Sequence, residues 1–325
     1  MTRTLASSAP PGTHLARRHL LALGSAALAT ALWTAAPAWA QKENPETYQP
    51  QSGQAGKDVI WVPTPDELVT RMLQLGGVTK NDYVIDLGAG DGKIVIAAAK
   101  EFGARGHGIE YNPDMVAHAT RRAQAAGVAD RARFEKADIF ESDFSQATVI
   151  TMYLLPHLNL RLRHRILALK PGTRVASHEF RMGRWRPDET AKVGHASVHL
   201  WLVPANAGGD WEFSFPQQSG PRTVRMSFTQ RFQYVTGEAL FKDFTALPSD
   251  GKLLGERLSF DLTDEDGHLR RFVGRVAGDR MEGSVYDFTN NGARQPFSAR
   301  RLGAAPPFDG AGPAPEHEAE SLGTE

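Results

Sequence analysis

The chain has 325 residues, 41% of them hydrophobic, with 37 Lys+Arg balancing 37 Asp+Glu and no cysteine. That length suggests about two domains. The absent cysteines exclude disulfides, Cys-ligated zinc, cysteine-bound iron–sulfur clusters and thiol nucleophiles. Zero net charge argues against a broad electrostatic grip on nucleic acid, and no such partner is expected.

Residues 1–40 carry Arg3, Arg17 and Arg18 and no acid. An uncharged Ala/Leu-rich run follows the paired arginines and ends Ala38-Trp39-Ala40, ahead of polar Gln41-Lys42-Glu43. A basic start, an apolar run and a small-x-small site make a secretory signal peptide. The Arg17-Arg18 pair gives it a twin-arginine character, which implies a periplasmic or otherwise exported protein. The alternative is an uncleaved membrane anchor, since the uncharged run could just span a bilayer. Once the signal is cleaved, no stable membrane span is expected. Residues 41–58 read as a linker.

From residue 59 to 205 buried-strand runs alternate with amphipathic helices. Thr64-Pro65-Asp66-Glu67 predicts a helix start with Thr64 as its cap. A strand, Tyr83–Leu87, runs into the turn Gly88-Ala89-Gly90-Asp91-Gly92, and helix resumes at Lys93. Further strands are expected at 106–109, ending at Glu110, then up to Ala137-Asp138, then at 148–154 and 174–178. Asn112-Pro113 caps a helix between them. This spacing predicts an α/β fold with a doubly wound, mostly parallel, Rossmann-like sheet.

The glycine turn is the most informative local feature. Gly88 lets the chain reverse out of the strand, and Gly90 and Gly92 let a ligand approach the backbone where a helix begins. Glu110 ends the next strand, where a carboxylate can accept both hydroxyls of a ribose. Asp138 ends the third and is placed to reach an adenine amino group. A dinucleotide fingerprint would need a glycine where Lys93 stands. Asp86, two residues before the first glycine, would repel a pyrophosphate and suits a cationic sulfonium or amine.

Asp86-Leu87-Gly88-Ala89-Gly90-Asp91-Gly92, with Glu110 and Asp138, resembles the S-adenosylmethionine site of seven-strand methyltransferases. Val62-Pro63-Thr64-Pro65, the run from Ile94 to Ala99, Tyr153-Leu154-Leu155-Pro156 and the stretch from Glu179 to Asp188 narrow the likeness. They resemble the group containing the ATP synthase c-subunit lysine methyltransferase and its bacterial relatives. The resemblance covers about 59–190. It implies S-adenosylmethionine as cofactor, held by Asp86, Gly88, Ala89, Gly90, Glu110, Asp138 and Ile139, and no metal. It puts Tyr153 and Pro156 on the acceptor side, where the Asp/Asn-Pro-Pro-Tyr motif of many amine methyltransferases is absent. Tyr153, His178, Glu179 and Trp185, with Phe180 among them, are the candidates for handling the acceptor, a protein lysine or a small molecule.

After Pro204 the pattern changes to strands separated by turns, at 211–215, 224–234, 253–262, 269–276, 281–288 and 296–302. Asp250-Gly251, Asp266-Gly267 and Gly278-Asp279 mark hairpin turns. This predicts a smaller antiparallel all-β domain over 206–303, a barrel or a sandwich. Its recurring arginines are read as a solvated face rather than a polyanion site. Residues 304–325, rich in Pro, Gly, Ala and Glu and without Lys or Arg, read as a disordered acidic tail. The whole predicts methyl transfer from S-adenosylmethionine. The alternative is a non-catalytic exported module that binds an adenosine-like ligand or a partner in the same pocket.

Overall fold

Apolar side chains on both faces of Tyr83–Leu87, strand β1, place it in the middle of a covered sheet: Val84, Ile85 and Leu87 are all buried. The computed structural model describes residues 48–217, 220–315 and 318. The expected signal segment lies outside them. Helix α1 (Asp66–Leu75) precedes β1. After it come α2 (Lys93–Glu101), β2 (Arg105–Glu110), α3 (Pro113–Ala125), β3 (Ala132–Lys136), β4 (Val149–Met152), α4 (Pro156–Leu167) and β5 (Arg174–His178). A hairpin, β6 (Glu189–Val193) and β7 (Ala196–Leu202), completes the sheet in the order β3-β2-β1-β4-β5-β7-β6. Strands β1 to β5 are parallel, and β7 runs antiparallel between β5 and β6.

Side-chain alternation along the strands sorts the two faces. Val84, Val149 and Ala176 pack with Leu68, Met72, Ile94 and Ala98 of α1 and α2. Ile85, Leu87, Ile150 and Val175 pack with Leu158, Leu162 and Ile166 of α4 on the other face. Asn112 caps α3 as expected, its side chain accepting from Asp114 N and Met115 N with Pro113 in the first turn. Thr64 does not cap α1. Pro65 stands at that position, and the Thr64 hydroxyl is engaged elsewhere.

Beyond residue 206 the strands are β8 (Gly209–Gln217), β9 (Gly220–Arg231), β10 (Tyr234–Leu240), β11 (Thr245–Ala246), β12 (Ser249–Leu254), β13 (Arg257–Thr263), β14 (Leu269–Ala277), β15 (Arg280–Asp287) and β16 (Ala293–Arg301). Each neighbours the next antiparallel, β11 aside, and β16 pairs back onto β8. The result is a closed barrel of eight strands. The expected strand at 224–234 is two strands turning at Phe232-Gln233, and that at 253–262 turns at Gly255-Glu256. Asp250-Gly251 is no turn but an irregularity inside β12, where the register with β13 shifts and Asp250 has φ 53°. Tight turns inside apolar runs leave little compositional trace.

Trp211, Phe213, Phe215, Phe228, Phe260, Phe272 and Phe297 fill the barrel, with rings stacked or edge-on, such as Phe260 on Phe272 at 4.8 Å. Outside, arginines meet acids: Arg271 with Asp261 (2.6 Å), Arg275 with Glu256 (2.6 Å), Arg225 with Asp210 (2.5 Å) and Arg300 with Glu212 (3.2 Å). The barrel and the parallel sheet are not separate bodies, since all the described residues fall in one compact unit. Phe232 stacks on Trp185 (6.3 Å, 11°) in the core under α4, and Gln233 Nε2 donates to the Arg186 carbonyl at 2.7 Å. The segment expected as a disordered tail is mostly exposed where it is described, but it is held at three points. Phe308 packs on that same core, Asp309 N donates to Gln230 O (3.0 Å), and Glu318 pairs with Arg163. One aromatic and one ion pair anchor a segment whose average composition is that of a free chain. Among the described residues no helix is long and apolar enough to cross a membrane.

Arg301 closes the barrel. Its side chain is 1% exposed, stacks on Trp211 at 4.1 Å, and donates to Asn206 O (2.7 Å), Gly278 O (3.2 Å), Gly208 O and the Asp279 carboxylate (3.0 Å). Arg301→Ala strands these acceptors and should lower unfolding free energy by about 3 kcal/mol. Urea denaturation checks this; an unchanged midpoint would show that the seam closes without it.

Candidate active site

The carboxyl ends of β1, β2 and β4 open into a cavity of about 270 Å³, lined by the glycine turn, Glu110, Asp138, Tyr153, Phe180 and the segment 54–64. This is where a parallel sheet presents ligand sites. Gly90 and Gly92 have φ of 52° and 77°, in the left-handed region. Their lack of a side chain is also used: a Cβ on Gly90 would come 2.3 Å from Trp61 Nε1, and one on Gly92 2.5 Å from the Phe134 ring. Gly88 and Ala89, the latter buried, both donate their N–H to Ile109 O.

Three acids converge at this turn. Asp86 is 2% exposed, and Thr151 Oγ1 donates to it at 2.8 Å. Burial pushes its carboxyl up to about 7, against the Thr151 bond, and the charges of Asp91 and Glu110 push the same way. Glu110 accepts from Gly90 N with one oxygen (2.9 Å) and from Asn112 N with the other (2.8 Å). It thus ties the glycine turn to the cap of α3, and each oxygen keeps a lone pair for a hydroxyl. Asp138 accepts from Phe140 N (2.9 Å) and pairs with Lys57. The Lys57 hydrogen bond is the main cause that holds its carboxyl below the usual range. Ile139 lines the cavity beside it.

Lys57 belongs to a strap whose polar composition reads as linker. Gly53 N donates to Trp61 O and Trp61 N to Gln54 O, both at 2.8 Å, and Gln54 Nε2 reaches the buried Tyr48 hydroxyl at 2.6 Å. The strap lies across the glycine turn through Trp61. Its one sequence signal is the apolar run Val59-Ile60-Trp61-Val62-Pro63 at the end of a polar stretch. At its end Thr64 Oγ1 lies 3.3 Å from His178 Nδ1, and Lys93 Nζ donates to Thr64 O at 3.0 Å.

The acceptor candidates separate into two groups. The Tyr153 ring stacks on the His178 imidazole at 3.8 Å and lies parallel to Phe180 at 6.0 Å. Tyr153 and Phe180 line the cavity, with His178 behind them and 5% exposed. Burial lowers the His178 pKa, against the charge of Glu179, and raises that of the Tyr153 phenol. Near neutrality the imidazole is therefore uncharged and the phenol protonated. Glu179 and Trp185 do not join them. Glu179, at φ 63°, turns out to β7, where its carboxylate accepts from Ser197 N (2.8 Å). Trp185 is fully buried between Trp201 and Phe232. An aromatic in a loop after a strand signals a site or a core equally, and here the barrel supplies the core.

The ANTKMT methyltransferase domain model matches residues 86–189. A protein-lysine N-methyltransferase of Saccharolobus islandicus is 45% identical over 151 residues, which are 45% of this chain and 94% of that protein. The ATP synthase c-subunit lysine N-methyltransferase of Mus musculus is 36% identical, over 44% of this chain and 56% of its own length. Among solved structures, an RNA methyltransferase of Salinibacter ruber in complex with S-adenosyl-L-homocysteine is 51% identical over 44% of this chain and 94% of that one, with a TM-score of 0.44. The donor set fits S-adenosylmethionine: a buried acid for a cationic group, a carboxylate with spare lone pairs for a ribose, and a second one for an amine.

Since Asp86 is half protonated near pH 7, a cation that needs its ionised form should bind more tightly as pH rises. S-adenosylmethionine affinity should gain up to about tenfold per pH unit and level off above about pH 7. Asp86→Asn should weaken binding and flatten the profile. Calorimetry across that range decides it, and a flat wild-type profile would remove Asp86 from the role.

Proposed function

The chain belongs to the methyltransferase family that includes the ANTKMT domain and the archaeal protein-lysine N-methyltransferase, and from that premise we propose that its acceptor is the ε-amine of a protein lysine. It is an S-adenosylmethionine-dependent methyltransferase. The observation that carries the lysine reading is the pair of parallel rings, Tyr153 and Phe180, in the same cavity as buried Asp86.

When bound, S-adenosylmethionine supplies a methyl group on a sulfonium, open to in-line attack by a lone pair. Asp86 would hold its cationic end, Glu110 its ribose, and Asp138 its adenine once shared with or released by Lys57. The residues around the acceptor face a different difficulty. A lysine with a pKa of about 10.4 arrives charged, and only its neutral form has a lone pair. The apolar walls of Tyr153 and Phe180 disfavour the ammonium by desolvation. The phenol oxygen of Tyr153 can accept a hydrogen bond from the entering amine and fix its direction. His178 stays uncharged behind that ring, and the lysine gives its proton to bulk solvent on leaving water for the apolar site, so that the amine enters neutral. Strap residues 54–64 cover the cavity and keep water from competing for the amine's lone pair.

The twin-arginine-type leader supports an exported setting, with the acceptor among envelope proteins. Mature chain incubated with methyl-labelled S-adenosylmethionine and an envelope extract should give methyllysines on acid hydrolysis. Tyr153→Ala should lower transfer about 100-fold while S-adenosylhomocysteine affinity changes little. Label recovered only outside lysine would overturn the lysine reading.

A further inference from the structure

We propose that Glu318, in the C-terminal segment, is a positioning residue for the methyl acceptor: with Arg163 it braces the loop that brings Phe180 into the cavity. The proposal rests on Phe180 being a wall of the acceptor site.

The loop between β5 and β6 has almost no regular structure of its own. A single bridge joins Met182 and Trp185. Side chains from elsewhere hold its backbone. Ser177 Oγ donates to Phe180 O at 2.7 Å, and Asn159 Nδ2 lies 3.3 Å from the carbonyls of Phe180 and Arg181. Arg163 Nη1 donates to Met182 O at 3.2 Å. Glu318 then closes the loop from outside. Its Oε1 accepts from Arg184 N at 2.7 Å and from Arg163 Nη1 at 2.6 Å, while Oε2 accepts from Arg163 Nη2 at 3.0 Å.

Arg163 is 1% and Glu318 4% exposed. A two-pronged pair at that depth is strong and directional, and neither charge is tolerable there without the other. The loop is also shaped to receive the carboxylate. Gly183, at φ 58°, passes so close that a Cβ would stand 2.3 Å from Glu318 Oε1. The family match ends at residue 189, so the carboxylate comes from outside the matched domain. The barrel is what delivers it. Strand β16 leads into the segment, Asp309 is hydrogen-bonded to the β9 edge, and Phe308 is anchored in the core under α4.

The test uses full-length mature protein in three forms: wild type, Glu318→Gln, and the double variant Arg163→Met/Glu318→Leu, whose apolar pair keeps the site filled without an orphan charge. Amide hydrogen exchange of residues 182–185 is followed by mass spectrometry, S-adenosylhomocysteine affinity by calorimetry, and transfer of labelled methyl to a lysine homopolymer by initial rates. Both variants should exchange about tenfold faster in the loop, keep S-adenosylhomocysteine affinity within about twofold, and lose about tenfold in kcat/KM for the homopolymer. Unchanged loop exchange overturns the brace. Faster exchange with unchanged transfer overturns the positioning role. If wild type transfers nothing to lysine while the variants still loosen the loop, the brace stands and the lysine reading falls.

Discussion

A carboxylate buried at the end of a central strand constrains the rest of this molecule. Asp86 has one hydrogen-bond donor, Thr151, and two acids for company, and its carboxyl is raised to about 7. An unfolded chain would titrate it near 3.8. Between those values the native state binds the proton more tightly than the unfolded one, so stability falls as pH rises through that window and levels off above it. The cost at neutrality is on the order of 4 kcal/mol. A cationic ligand at the site offsets it, because it stabilises the ionised form that folding alone disfavours. The glycine turn, the Glu110 bridge and the Arg122 contact on Asp91 (2.5 Å) keep the backbone in place around this charge. Burial and the two neighbouring acids thus give this position a preference for a cationic group beside it.

The two sheets contribute to that site unequally. The parallel sheet supplies every acid that would hold the cofactor. Among the described residues the barrel supplies none to the cavity, and its interior is packed with aromatic rings. Its influence passes through Phe232, which fixes Trp185, and through the segment after β16, which carries Glu318. Both act on the loop between β5 and β6. A barrel with no lumen therefore makes mechanical sense as a rigid arm that fixes one wall of a neighbouring pocket.

What was legible in the sequence follows from the range of the interactions. The glycine turn, Glu110, Asp138 and the Asn112 cap each stand at the end of a strand or the start of a helix, and composition and spacing reveal such ends. That the sheet is mostly parallel also follows from alternation of strands and helices. The strap and the points that hold the C-terminal segment depend on partners far along the chain. Lys57 meets Asp138 at a separation of 81 residues and Arg163 meets Glu318 at 155. No local pattern encodes either pair. Glu179 and Trp185 misled for the same reason, because their true partners, Ser197 and Phe232, stand in elements that periodicity did not link to them.

This difference in range divides the site by function. The cofactor half is built at the carboxyl ends of three neighbouring strands, β1, β2 and β3. The proposed acceptor half is assembled from the strap through Thr64 and His178, from the end of β4 through Tyr153, and from the loop braced by Arg163 and Glu318. The methyl donor is accordingly fixed by the sheet, while the shape of the opening that admits an acceptor is fixed by segments attached to it. The absence of an Asp/Asn-Pro-Pro-Tyr motif is then no obstacle to amine chemistry. Parallel rings disfavour the ammonium by desolvation, where such a motif would place polar groups against the amine.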